Sequence, residues 1–216
     1  MLRMITEHWP LFGLRLFTPR LELRVPSLDD LGQLAGVAAT GVHDPDRQPF
    51  VVPWTDGSPA ERARGTLQWH WGQWSAWSPA KWSIGLVTVL DGRVIGTQEM
   101  DARNFGVLRE VGTGSWLGRE FHGRGYGTEM RAAVLDLAFT GLGAEQATSE
   151  AFDDNAASYA VSRKLGYADD GIARHVVRGR AATGRRLRLD RAGWEAARTV
   201  EVRIEGLEPC LPMFGV

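Results

Sequence analysis

The sequence predicts an α+β fold built on a central, mostly antiparallel mixed sheet flanked by helices. Three observations lead there. Residues 18–25 alternate Leu21, Leu23 and Val25 against Arg20, Glu22 and Arg24, the period of a half-buried strand. Asp91-Gly92 separates two β-rich runs, the signature of a two-residue hairpin. Between the strand-like runs lie segments with helical spacing and capping residues at their starts. The order reads β-α-α-β-β-β-α-β-α-β-β.

Composition narrows the class. A chain of 216 residues, 44% hydrophobic and 24% charged, can bury one sizeable core. A disordered chain, a coiled coil and a fibre are excluded. Lys and Arg number 25 against 26 Asp and Glu, so the net charge is −1 and no global basic field for nucleic acid exists. Cys210 stands alone, which excludes an internal disulfide and a thiol metal cluster. No long apolar stretch and no charged leader before an apolar run is present, which predicts a cytoplasmic protein without a membrane span.

The elements follow from local chemistry. His8-Trp9-Pro10-Leu11-Phe12 makes residues 1–13 a segment that docks on the body or on another subunit. Ser27 caps a helix running to about Ala39. Gly41 to Pro59 is a long loop with four prolines, a length that often carries function. Ser58-Pro59-Ala60-Glu61 starts a second helix, with Leu67, Trp71 and Trp74 expected on its core face. Strands are expected over 82–90, 93–100 and 111–117. A helix opens at Gly123 to Gly127 and places Met130, Val134, Leu137 and Ala138 on one face. A strand over 147–152, a helix from Asp153, Asp154 or Asn155 to Gly166, and strands near 173–179 and 185–189 complete the series. Trp194 lies on a short helix, and residues 197–216 form an extension.

Trp116-Leu117-Gly118-Arg119-Glu120-Phe121-His122-Gly123-Arg124-Gly125-Tyr126-Gly127-Thr128 carries the chemistry. A strand enters a glycine-rich turn that becomes a helix N-terminus. The first helical turn has N–H groups without intrahelical partners, and the helix dipole adds positive potential there. A phosphate docks on such an end. A Walker loop needs a lysine that Gly127-Thr128-Glu129 lacks, and Gly123, Gly125 and Gly127 have the wrong spacing for a dinucleotide fingerprint.

His122-x-x-Gly125-x-Gly127 resembles the Q/R-x-x-G-x-G/A coenzyme A loop of the GCN5-related N-acyltransferases (GNATs), with His in place of Gln or Arg. Thr18-Pro19-Arg20-Leu21-Glu22-Leu23-Arg24, Trp116-Leu117-Gly118, Asn155-Ala156-Ala157-Ser158 and Lys164-Leu165-Gly166-Tyr167 resemble the ribosomal-protein N-acetyltransferase-like branch of that family. The resemblance covers roughly residues 14–196. His8 to Phe12, Gly41 to Arg47, Gly114 to Gly118, Thr128 to Val134 and Thr199 to Arg203 are similar to an actinobacterial subgroup of succinyl-CoA-type transferases.

The resemblance implies a sheet whose fourth and fifth strands splay apart. It implies an acyl-CoA donor, acetyl-CoA or succinyl-CoA, and no metal. Trp116, Leu117, Gly118, His122, Gly123, Arg124, Gly125, Tyr126, Gly127, Thr128, Asn155 and Ser158 would bind coenzyme A. Ser158 would donate a hydrogen bond to the leaving sulfur. The family's tyrosine, seven residues after the Asn, is here Ser162. The base is expected from Glu110, or from His43 in the long loop or a water chain. The acceptor is a primary amine on a small molecule or a protein. The apolar ends suggest a homodimer or higher oligomer. Two rivals stand beside this reading: an acyl-CoA sensor without turnover, and an RNA adaptor using Arg174, Arg178, Arg180, Arg185, Arg186 and Arg188. The near-zero net charge disfavours nucleic acid.

Overall fold

The computed structural model describes residues 2–216. Nine strands form one mixed sheet in the order β7-β8-β6-β5-β4-β3-β2-β1-β9. They are β1 (Arg15–Phe17), β2 (Glu22–Arg24), β3 (Lys81–Leu90), β4 (Arg93–Arg103), β5 (Glu110–Leu117), β6 (Gln146–Phe152), β7 (Ala168–Val177), β8 (Arg180–Asp190) and β9 (Arg203–Glu205). Every neighbouring pair is antiparallel except β5 with β6, which is parallel. The helices are α1 (Leu2–His8), α2 (Leu28–Thr40), α3 (Pro59–Ser75), α4 (Phe105–Leu108), α5 (Tyr126–Asp136), α6 (Ala156–Lys164), α7 (Arg191–Ala197) and α8 (Leu211–Phe214).

Local signals account for most boundaries. Ser27 and Ser58 cap α2 and α3 in reciprocal boxes with Asp30 and Glu61. Asp91 and Gly92 both take positive φ, 48° and 78°, as the tight β3–β4 turn requires. Two helical layers cover the sheet. On the first face, Leu34 of α2 packs on Val87, Val89, Val94 and Trp116. On the second, α5 inserts its apolar side, and Thr88 Oγ1 meets Met130 Sδ at 3.4 Å.

Three expectations are corrected. The alternation over 18–25 is not one strand: the Thr18 amide donates to the Leu21 carbonyl and the Leu21 amide to Thr18 Oγ1, closing a turn with Pro19 inside it, and β1 and β2 pair across it. Trp71 leaves the core face of α3 and is 46% exposed, while Thr66 and His70 are the buried positions there. The basic hairpin is longer than its pattern, because β7 is a polar edge strand with little burial to mark it; it turns at Arg178-Gly179.

Both ends of the chain pack on the body. Trp9 and Phe12 meet Trp77 and Trp74 edge-on, and Leu11, Cys210 and Phe214 are buried. The indole N–H groups of Trp77 and Trp82 donate to the carbonyls of Met213 and Phe214. β9 adds a strand beside β1. Met1 of the N-terminal segment lies outside the described residues. Among the described residues no helix is long and apolar enough to cross a membrane.

Candidate active site

The sheet opens between β5 and β6. Their ladder holds only Glu110–Gln146, Val111–Ala147 and Gly112–Thr148. Beyond it β5 stays with β4 to Leu117, while β6 stays with β8 to Phe152. The two strands therefore part into a cleft. On the open edge of β5, the Thr113 carbonyl accepts from Ser149 Oγ at 3.4 Å and the Leu117 carbonyl accepts from His122 Nε2 at 3.0 Å. Alternation turns the peptide groups of Ser115 to this same edge. The β5–β6 ladder has ended by then, at Gly112–Thr148, so β6 does not pair with them.

At the mouth of this cleft α5 begins. Gly123 and Gly125 take φ of 71° and 81°, a conformation that side chains rarely adopt. The turn leaves the amides of Gly123, Arg124, Gly125, Tyr126 and Gly127 without protein acceptors among the described residues. The first helical bonds there come from Thr128 and Glu129, both to the Gly125 carbonyl. Residues 122–125 are exposed, so these amides face solvent with the helix dipole behind them. A run of free main-chain amides of this kind can cradle an anion.

A brace holds the cradle. Glu129, buried in the first turn of α5, accepts from Thr18 Oγ1 at 2.7 Å, from the Arg20 amide at 2.9 Å and from Arg20 Nε at 2.6 Å. Arg20 Nη1 donates to the Arg124 carbonyl at 3.1 Å, and its guanidinium lies 4.5 Å from the centre of the Tyr126 ring. The Thr-Pro-Arg opening segment thus fixes the loop from outside, which its position near the N-terminus does not reveal.

On the first face, two carboxylates of β4 lie over two glycines of β5. Glu99 is in register with Gly114 and Asp101 with Gly112. A Cβ on Gly112 would stand 2.6 Å from Asp101 Oδ1, and one on Gly114 would stand 3.6 Å from Glu99 Oε2. Ser83 Oγ donates to Glu99 Oε1 at 2.8 Å. Burial pushes the Glu99 carboxyl up to about 7, with Asp101 adding to the rise and the Ser83 bond opposing it. Burial also raises Asp101. His70 of α3 takes the space above Gly85, the register partner of Glu99, and burial lowers it to about 4. Sequence reading missed Glu99. Its signal was the pair of glycines in the neighbouring strand.

The residues expected as bases are engaged elsewhere. Glu110 stands at the closed end of the cleft, four residues or about 13 Å down β5 from Gly114. It pairs with Arg188 at 2.7 Å. His43 has both ring nitrogens engaged, with the Asp44 carbonyl at 2.7 Å and Thr55 Oγ1 at 2.8 Å. It pins the long loop rather than offering a free lone pair. That loop docks through Phe50 and Trp54 onto Trp116, with Trp54 and Trp116 ring centres 5.4 Å apart. Leu117 is buried, and Gly118 leads into the short helical turn Arg119–Phe121. Arg178 pairs with Asp56 and closes the loop against the β7–β8 hairpin. Asn155 caps α6 through the Ser158 amide at 3.2 Å, and Ser158 is half-buried in the first turn.

Arg185 pairs with Asp153, and Arg188 with Glu110 and Asp170. With Arg178 on Asp56, three of the six hairpin arginines are tied to carboxylates of the chain. A cleft of about 720 Å³ lies between Asp46 and Gln48 of the loop, Phe152 to Asp154 at the end of β6, and the hairpin tip. Among the described residues no group of three His, Cys, Asp or Glu could hold a metal ion.

Comparison with known proteins agrees with this geometry. The acetyltransferase (GNAT) domain family matches residues 20–168, and the chain belongs to that family. Its fold is that of Mycobacterium smegmatis RimJ in complex with CoA-disulfide: TM-score 0.69, 17% identity, 94% of this chain and 95% of that one. RimL, a ribosomal alpha-N-protein acetyltransferase in complex with coenzyme A, superposes at a TM-score of 0.64 with 15% identity, over 80% and 94% of the two chains. A GCN5-related N-acetyltransferase from Brucella melitensis gives 0.66 with 19% identity, over 85% and 81%.

Proposed function

We propose that this protein moves an acyl group from a coenzyme A thioester to a primary amine, with both substrates bound together. One observation carries the reading: five unpartnered amides at the start of α5 stand at the mouth of a cleft between diverging strands. The amides of residues 123–127 hold the diphosphate. The open edge of β5 at Ser115 pairs with the pantetheine amides as an added strand would, and its N–H faces the thioester carbonyl. Asn155 and Ser158 flank the arm from α6, where the Ser158 hydroxyl is a neutral donor to the departing sulfur.

Glu99 takes the place of the base. Attack requires a neutral amine. A carboxylate whose pKa sits near 7 removes a proton from the amine at physiological pH and passes it to water. It reaches the reacting centre because Gly112 and Gly114 leave the neighbouring strand bare.

Acetyl-CoA is the donor this reading favours, with succinyl-CoA the alternative that the sequence resemblance raises. A protein amine is favoured as acceptor by the RimL neighbour, a ribosomal alpha-N-protein acetyltransferase. The test is thiol release from acetyl-CoA and from succinyl-CoA across an amine and N-terminal peptide panel. Release that disappears in Glu99→Gln supports the enzyme. Tight coenzyme A binding with no release for any acceptor supports the sensor instead.

A further inference from the structure

Arg131, on α5, is 4% exposed and has no carboxylate within ion-pair reach among the described residues. Nη1 donates to Ser162 Oγ at 2.8 Å and Nη2 to Ser115 Oγ at 3.3 Å, while Nε has no partner. Ser162 Oγ in turn donates to the Ser158 carbonyl at 3.2 Å. The one titratable group facing it is Tyr167, itself buried, whose hydroxyl bonds Thr113 Oγ1 at 3.1 Å. Both Arg131 contacts are neutral hydroxyls.

A buried charge without a counter-ion costs several kcal/mol, and a hydrophobic side chain of similar volume is often the more stable choice. Such a cation calls for an anion that arrives from outside. Its position restricts which anion. The guanidinium lies behind Ser115, whose peptide groups turn to the open edge of β5, and behind Ser162, one turn along α6 from Ser158. It also lies about one and a half turns beyond the amide cradle, so the diphosphate is held elsewhere.

We propose that Arg131 is a positioning residue for the leaving thiolate, its charge acting on the sulfur through the hydroxyl of Ser115, while Ser162, whose own O–H is committed to the Ser158 carbonyl, holds the other arm of the guanidinium. This rests on the acyl-transfer reading above. In the step concerned, the amine nitrogen bonds to the thioester carbon and the C–S bond breaks with its electron pair retained by sulfur. The amine proton leaves through Glu99 to water, and the thiolate takes a proton from water as product departs. Arg131 neither gives nor takes a proton. It fixes a lone pair of Ser115 Oγ, so that the Ser115 O–H is free to donate to the sulfur.

The test titrates the thiol of coenzyme A bound to the intact protein, by thiolate absorbance and by its alkylation rate against pH. Calorimetry establishes binding first. In the wild type the bound thiol should ionise about one pH unit or more below a free thiol, as beside a cation. Arg131→Met should bind coenzyme A, return the midpoint to or above the free value, and melt no lower than the wild type. Arg131→Lys should keep the midpoint low. A wild-type midpoint that is not lowered, an equal lowering in Arg131→Met, or a lower melting temperature in Arg131→Met overturns the proposal, the last because the arginine is then structural. Binding of succinyl-CoA strengthened over acetyl-CoA by Arg131 also overturns it, since the cation then serves an acyl carboxylate. Failure of the wild type to bind coenzyme A removes the acyl-transfer reading and this inference together; binding with an unshifted thiol removes this inference alone.

Discussion

Glu99 and Gly114 are register partners across β4 and β5, and the carboxylate occupies the face that the glycine leaves bare. The pairing sets a half-buried acid, held by Ser83, beside the strand that lines the cleft. Glu99→Gln should lower kcat by about a hundredfold or more with little change in coenzyme A affinity. The base is active when ionised, so wild-type kcat should climb as pH rises through about 7 and level above it. Steady-state rates across pH check both; an unchanged profile in the variant removes Glu99 as base.

The same carboxyl predicts a stability trend. Its folded pKa lies above its ordinary value of 4.5, so between 4.5 and about 7 the folded state binds more protons than the unfolded one. The contribution is fully present below that window and is lost as pH rises through it. His70, lowered to about 4 by burial, contributes with the opposite sign over part of this range, so the Glu99 share is read as a difference: relative to Glu99→Gln, the wild-type denaturant midpoint should fall as pH rises from 4.5 to about 7.

Gly125 sits in the left-handed region at the start of α5, against the free amides. Gly125→Glu brings a negative charge to the cradle. Affinity for coenzyme A should drop by about 3–4 kcal/mol, several hundredfold. Circular dichroism should show the fold retained. Undiminished affinity would refute the placement of the diphosphate.

Arg20 tests the brace. Arg20→Ala leaves the Glu129 carboxylate buried with only Thr18 and a backbone amide as partners. A loss of about 2 kcal/mol is expected, a few degrees in melting temperature, together with weaker coenzyme A binding. Thermal melts with and without coenzyme A separate the two effects.

Trp54 tests the long loop. It links Phe50 to Trp116 on the face away from the diphosphate cradle. Trp54→Ala should raise KM for the amine about tenfold, the scale of a lost aromatic contact, and leave coenzyme A affinity in place. A change confined to coenzyme A binding would assign the loop to the donor side.

The glycine loop, both serine caps and the Asp91-Gly92 turn were legible in the sequence because each is decided within a few residues. Short-range sterics and unsatisfied amides dictate them wherever the chain goes. The opening strand was misread because its alternation continues across a turn that Thr18 closes. Glu99, the Arg20–Glu129 brace and Arg131 were not legible. Each gains its meaning from a partner distant in the chain: Gly114 across a ladder, Glu129 across 109 residues, Ser162 across 31. The sequence by itself therefore determined the order of the main helices and strands and the glycine turn that opens α5. Tertiary packing alone decided which carboxylate is desolvated and which cation lacks a counter-ion, since burial and charge pairing depend on what the fold brings alongside.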